Sequence, residues 1–119
     1  AMKYADLSQE VTISYTPEGL ESSAVLCGFE QGDKMMLSSL LSAALIYSGN
    51  DAAIDIAIAV AGSQEAFVDM MNQESKELMT SHTHFANPTG LTQSKHYSSV
   101  YDVYLMFQEC LKYPSFAIL

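Results

Sequence analysis

The run Asp51-Ala-Ala-Ile-Asp-Ile-Ala-Ile-Ala-Val-Ala61 constrains this chain more than any other, because it is apolar on nearly every side of a helical turn. A helix of that kind cannot lie on a surface with one wet face, so other elements have to enclose it. It does not extend to a bilayer span: Asp51, Asp55 and Gln64 interrupt the region well short of ~18 apolar residues. The expectation is the central helix of a small core. Asp55 is its odd residue, expected either to reach the helix edge or to pair with a lysine.

The flanking segments supply the enclosure. Before it, Leu37, Leu40, Leu41, Ala44 and Leu45 recur at three- and four-residue steps, predicting a helix that ends near Tyr47. After it, Gly62 breaks the chain and Ser63 is placed to cap a helix with Phe67, Met70, Met71 and Leu78 on its inward side. Residues Ser81 to Tyr97 are rich in Thr, Ser, Asn, Pro and Gly without helical spacing, which predicts a long ordered loop. Ser99 with Asp102 reads as a capping box opening a last helix, through Val103, Leu105, Met106, Cys110 and Leu111, that Pro114 stops. Near the start, Glu10 to Ser14 puts Val11 and Ile13 on one face of an extended segment, and Ser23 to Gly28 is a second short apolar run. A small β-hairpin between them is the expectation, with Pro17, Gly19 and Glu30-Gln31-Gly32-Asp33 as turns.

At 119 residues the chain suits one compact unit and no second domain. Its basic residues number 5 against 14 acidic ones, a formal net charge of -9 that disfavours nucleic acid and anionic membrane surfaces as partners. Neutral peptide or glycopeptide ligands are not disfavoured. No leader of charged then apolar residues opens the chain, so a secretory signal, if there is one, is expected outside it. Cys27 and Cys110 form no C-x-x-C pair and read as two buried thiols. His82, His84 and His96 lack the helical spacing and accompanying ligands of a metal site, so no metal and no cofactor is expected, and His84 is read as a loop residue held by hydrogen bonds. The methionines, Met70, Met71 and Met106 among them, fall at core-facing positions.

The chemistry concentrates at Ser48-Gly49-Asn50-Asp51-Ala52-Ala53, between the first two helices. On its own this is a helix cap, Ser48 with Asp51 being a capping-box pattern. Its surroundings change that reading. Ala61-Gly62-Ser63 leads to Glu65-Ala66-Phe67-Val68 and Met71-Asn72. Thr83-His84-Phe85-Ala86-Asn87-Pro88-Thr89-Gly90-Leu91 follows, then His96-Tyr97-Ser98-Ser99 with Asp102. Together and in this order, from about Val11 onward, these segments resemble the low-molecular-mass penicillin-binding proteins that act as serine D-Ala-D-Ala carboxypeptidases.

That resemblance implies a mainly α unit with a small β-hairpin, the helical subdomain of the β-lactamase/penicillin-binding transpeptidase-like fold. It also implies a cleft built from Ser-x-x-Lys, Ser-x-Asn and Lys-Thr-Gly, in which a serine forms an acyl-enzyme on a stem peptide ending in D-Ala-D-Ala. Ser48 and Asn50 would be catalytic, and Ser48, Gly49 and Asn50 would bind substrate: the Ser48 hydroxyl relays a proton to the departing amine and the Asn50 amide holds the acyl side. Gly49 keeps the turn unhindered. No lysine stands three residues after a serine and none precedes Thr-Gly or Ser-Gly, so the other two motifs are absent from residues 1–119. The chain is therefore expected to be an inactive fragment, one helical subdomain without the α/β subdomain that carries the nucleophile and Lys-Thr-Gly. The parent implied is an exported enzyme of the bacterial cell envelope that β-lactams would acylate. The competing expectation is a non-catalytic helical module that kept the scaffold to bind a partner.

Overall fold

The computed structural model describes residues 1–15 and 17–119. Strand β1 (Glu10–Thr12) pairs antiparallel with β2 (Lys34–Met36), Val11 opposite Met35. Among the described residues five helices follow: α1 (Leu37–Leu45), α2 (Asn50–Ala61), α3 (Gln64–Glu77), α4 (Val100–Cys110) and the short α5 (Pro114–Ala117). The period-two alternation of the first segment is realised, since Val11 and Ile13 are buried while Glu10, Thr12 and Ser14 are exposed.

The strand partner differs from expectation. Ser23–Gly28 forms no strand, and its place beside β1 is taken by Lys34–Met36, for which no strand was expected. The physical reason is that the backbone of residues 25–29 is engaged elsewhere, by the start of α2. The ladder continues past β1 through Ile13 N–H to Asp33 O and Gly32 N–H to Ile13 O, each 2.8 Å, which carries the chain into the turn at Glu30–Asp33. That turn matches its sequence: the Glu30 N–H donates to the Asp33 carboxylate at 2.9 Å, and Gly32 takes φ 98.

Leu37, Leu40 and Leu41 of α1 pack with Val11, Ile13, Ala52 and Ile56 into one buried cluster. The enclosed character of α2 holds for its first half, where Ala52, Ile54, Ile56 and Ala57 are buried, and relaxes from Ile58 onward to half-buried positions. Asp55 neither reaches the surface nor meets a lysine. It is 2% exposed, and its carboxylate accepts from the backbone of Tyr15 and Ser14, with Oδ2 unpartnered among the described residues. Burial pushes its pKa up to about 6, assisted by Asp51 and opposed by those two backbone bonds.

Both expected serine caps are present: Ser63 accepts from Ala66 N–H and Ser99 from Asp102 N–H, each at 3.1 Å. Asp102 does not complete a capping box, because its carboxylate turns to the preceding loop and accepts from His82 N–H and Thr83 Oγ1, each 2.7 Å. Burial would raise its pKa, but the hydrogen bonds from Thr83, His82 and Ser81 outweigh that and hold it below the usual value.

The loop 81–97 is ordered by polar side chains, its own and those of α3 and α4. The Asn72 carboxamide grips Phe85 through both backbone groups, and His84 pairs with Tyr97 in an antiparallel bridge. His84 Nδ1 meets the Lys95 carbonyl, His96 Nδ1 accepts from Ala86 N–H, and His82 Nδ1 meets Ser81 Oγ, so the three imidazoles serve separate contacts. Pro114 does not merely follow α4; it opens α5 from the first-turn position that tolerates a missing N–H. Val103 of α4 and Leu111 just after it are 53% exposed, and Met70, Met71 and Met106 are half-buried along an open apolar groove shared with Phe67 and Cys110. The methionines are thus not sealed in the core.

Candidate functional site

Helix α1 closes with the Ile46 N–H on Ser42 O at 2.9 Å, and the chain then has four residues in which to turn into α2. It does so through Ser48, which adopts φ 61, a left-handed conformation costly for a residue with a Cβ. The Gly49 N–H donates back to Ala43 O at 3.1 Å, and Gly49 O accepts the first intrahelical bond from Ala53 N–H. Gly49, not Ser48, is therefore the N-cap, and no side chain caps this helix. The capping-box reading of Ser48 with Asp51 fails. Its hydroxyl is left exposed at the mouth of the turn, flanked by exposed Ile46 and Tyr47.

Gly49 is buried with φ -68 and ψ 114, angles any residue can adopt, so its constraint is one of space. A Cβ there would overlap the Cys27 sulfur and approach Asp51 Oδ1 at 3.1 Å. Gly49→Ala is expected to cost about 1–3 kcal/mol, the usual range for overpacking. Adding Cys27→Ala should recover most of that loss in a denaturant-unfolding cycle, because the sulfur is the one atom the Cβ would overlap, the approach to Asp51 Oδ1 being merely tight.

Asn50 is half-buried and tied twice to one acceptor. Its backbone N–H donates to Val25 O at 2.9 Å and its side-chain Nδ2 to the same oxygen at 3.0 Å. One amide hydrogen is thereby used, leaving Oδ1 and the second N–H for a ligand.

Asp51 is the residue that sequence reading undervalued. It is 1% exposed, and its carboxylate accepts from Cys27 N–H at 2.9 Å, Gly28 N–H at 3.0 Å and Phe29 N–H at 3.4 Å, besides Ala52 N–H at 3.0 Å. These bonds draw residues 25–29 across the start of α2 and explain why that segment is no strand. The signal available in sequence was an acidic residue in the first turn of a helix, favoured there by the dipole but silent about a distant segment. Cys27, beside it, has its thiol pKa raised by burial and then by the Asp51 charge, so it is a poor nucleophile. Among the described residues no cluster of His, Cys, Asp and Glu is placed to hold a metal.

A family model for D-alanyl-D-alanine carboxypeptidases, peptidase S11, matches residues 1–118. The chain is 48% identical over 86 residues, 72% of its length, to the D-alanyl-D-alanine carboxypeptidase DacF of Bacillus subtilis, and covers 22% of that protein. Among solved structures it superposes on penicillin binding protein 6B of Escherichia coli with TM-score 0.89 at 27% identity, covering 96% of this chain and 38% of that one. It superposes on the D-alanyl-D-alanine carboxypeptidase of Mycobacterium tuberculosis with TM-score 0.86 at 27% identity, covering 98% and 44%. The chain spans about a fifth of the length of the curated relatives it matches. These likenesses agree with a mainly helical unit carrying a two-stranded antiparallel ribbon, in the penicillin-binding and β-lactamase-like fold. With the family model aligned to nearly its whole length, this chain belongs to the D-alanyl-D-alanine carboxypeptidase family, peptidase S11.

Proposed function

We propose that this chain supplies the Ser-x-Asn wall of the catalytic cleft in a serine-type D-Ala-D-Ala carboxypeptidase that trims peptidoglycan stem peptides. The observation that carries the reading is the turn itself: an exposed serine whose hydroxyl is not spent on capping α2, two residues from a carboxamide anchored by only one of its hydrogens. In this reading residues 1–119 form one helical subdomain, and a Ser-x-x-Lys serine on polypeptide outside them attacks the carbonyl of the penultimate D-alanine. The bond to the terminal D-alanine nitrogen breaks as the Ser48 hydroxyl passes a proton to that nitrogen. Water then hydrolyses the ester. Asn50 holds the acyl side of the substrate and steadies the lysine that activates the nucleophile, so Ser48 and Asn50 act catalytically and Gly49 lets the turn close.

A β-lactam presents a reactive amide in the same place and traps the acyl-enzyme, which makes labelled penicillin the natural probe. The substrate places the whole enzyme outside the cytoplasm, at the bacterial cell envelope. Residues 1–119 alone contain neither Ser-x-x-Lys nor Lys-Thr-Gly and are expected to take no label.

In the whole protein, Ser48→Ala is expected to slow acylation by labelled penicillin on the order of 10²-fold or more, the usual weight of a positioned proton-transfer group. Its unfolding free energy should stay within about 0.5 kcal/mol, since the hydroxyl is exposed. An unchanged acylation rate, or a mass shift of the 119-residue chain with penicillin, overturns this reading.

A further inference from the structure

The bonds around the Ser48–Asn50 turn form a chain with a direction. Asp51 holds the N–H groups of Cys27, Gly28 and Phe29. Two residues before Cys27, the Val25 carbonyl receives both the backbone N–H and the side-chain Nδ2 of Asn50. The orientation of the Asn50 carboxamide is therefore set by where Val25 O lies, and Val25 O lies where Asp51 fixes its segment. Cys27 and Phe29 also pack against the core, but at the Val25 end the hold is looser: Val25 and Leu26 are 44% and 38% exposed, and residues 23–28 belong to neither strand of the ribbon.

Gly49 reinforces the arrangement from the other side, because the Cys27 sulfur fills the space where a Cβ would stand. A carboxamide works in catalysis only when its acceptor and donor ends point the right way, and a rotation about its last torsion, which is broad and roughly two-fold, exchanges them. A second anchor on Nδ2 removes that freedom.

We infer that Asp51 is a positioning residue for the proposed reaction, acting through residues 25–29 and the Val25 carbonyl to hold the Asn50 carboxamide with Oδ1 free. It touches neither substrate nor reacting atoms. The inference rests on the functional reading of Asn50 given above, and its consequence is that Asp51 affects acylation through Asn50 and not merely through fold stability.

A double-mutant cycle on the whole protein tests this, with acylation by a fluorescent penicillin followed in single turnovers for the parent, Asp51→Asn, Asn50→Ala and the double variant. Asp51→Asn is expected to slow acylation at least tenfold in the parent and less than twofold in the Asn50→Ala background, because the group it acts through is gone. Equal slowing in both backgrounds, or none in the parent, overturns the inference. If Asp51→Asn does not fold, NMR of the parent decides: a scalar coupling across the hydrogen bond from Asn50 Nδ2 to the Val25 carbonyl is expected, and its absence overturns the positioning route. A parent that takes no label refutes the functional reading itself, whereas a labelled parent with additive variants refutes only the role of Asp51.

Discussion

Asp51→Ala is expected to lower the unfolding free energy by about 3 kcal/mol. The carboxylate is 1% exposed and receives the N–H groups of Cys27, Gly28 and Phe29 as well as Ala52. Hydrogen bonds to an ionised acceptor contribute more than neutral ones, and each donor left buried without a partner costs about 1–3 kcal/mol. Some of the freed N–H groups will reach water, since Gly28 is exposed, which holds the total below the sum of the parts. The measurement is the urea midpoint at unchanged slope. A loss under about 1 kcal/mol would mean that water replaces the carboxylate and that the segment 25–29 is held by something else.

The second large effect has the opposite sign and depends on pH. The Asp55 pKa is raised by burial from the usual 3.8 to about 6. Between those values the folded chain binds a proton that the unfolded chain has released. Its contribution to stability is therefore fully present below about pH 3.8 and lost as pH rises through about 6. At neutral pH the buried anion is a net cost. Asp55→Asn mimics the protonated form and does not titrate, so it should be more stable than the parent by about 1–2 kcal/mol at pH 7, with the gain vanishing near pH 4. The full linkage value, about 3 kcal/mol, is not expected, because the new amide hydrogens stand buried and unpartnered where the unpartnered Oδ2 was. Urea unfolding of both proteins at several pH values isolates the effect, since the other carboxylates titrate in both. A gain independent of pH would place the Asp55 titration outside this window.

Legibility followed the range of the interaction. The caps at Ser63 and Ser99 bond three residues along the chain, and both were readable from residue type and spacing. The loop 81–97 was readable as ordered, though the grip of Asn72 on Phe85 was not. Within the candidate site, Ser48, Gly49 and Asn50 were identified from a tripeptide and its flanking segments, but the reason for Gly49 was a sulfur 22 residues earlier in the sequence. The exposed apolar residues of α4, Val100, Tyr101 and Phe107, were also illegible as such, because periodicity shows a stripe without showing whether a neighbour covers it.

By itself the sequence determined where α3 and α4 begin and which stripe of each helix is apolar, because capping bonds and the 3.6-residue period are local properties of the chain. Tertiary structure alone decided which segment pairs with β1, why α2 starts at Asn50 and not under a Ser48 cap, and what Asp55 meets. Those outcomes turn on which distant N–H groups a buried carboxylate satisfies. Any of the chain's 14 acidic residues offers the same acceptor on paper, and only burial makes an unmet donor or acceptor costly enough to choose among them.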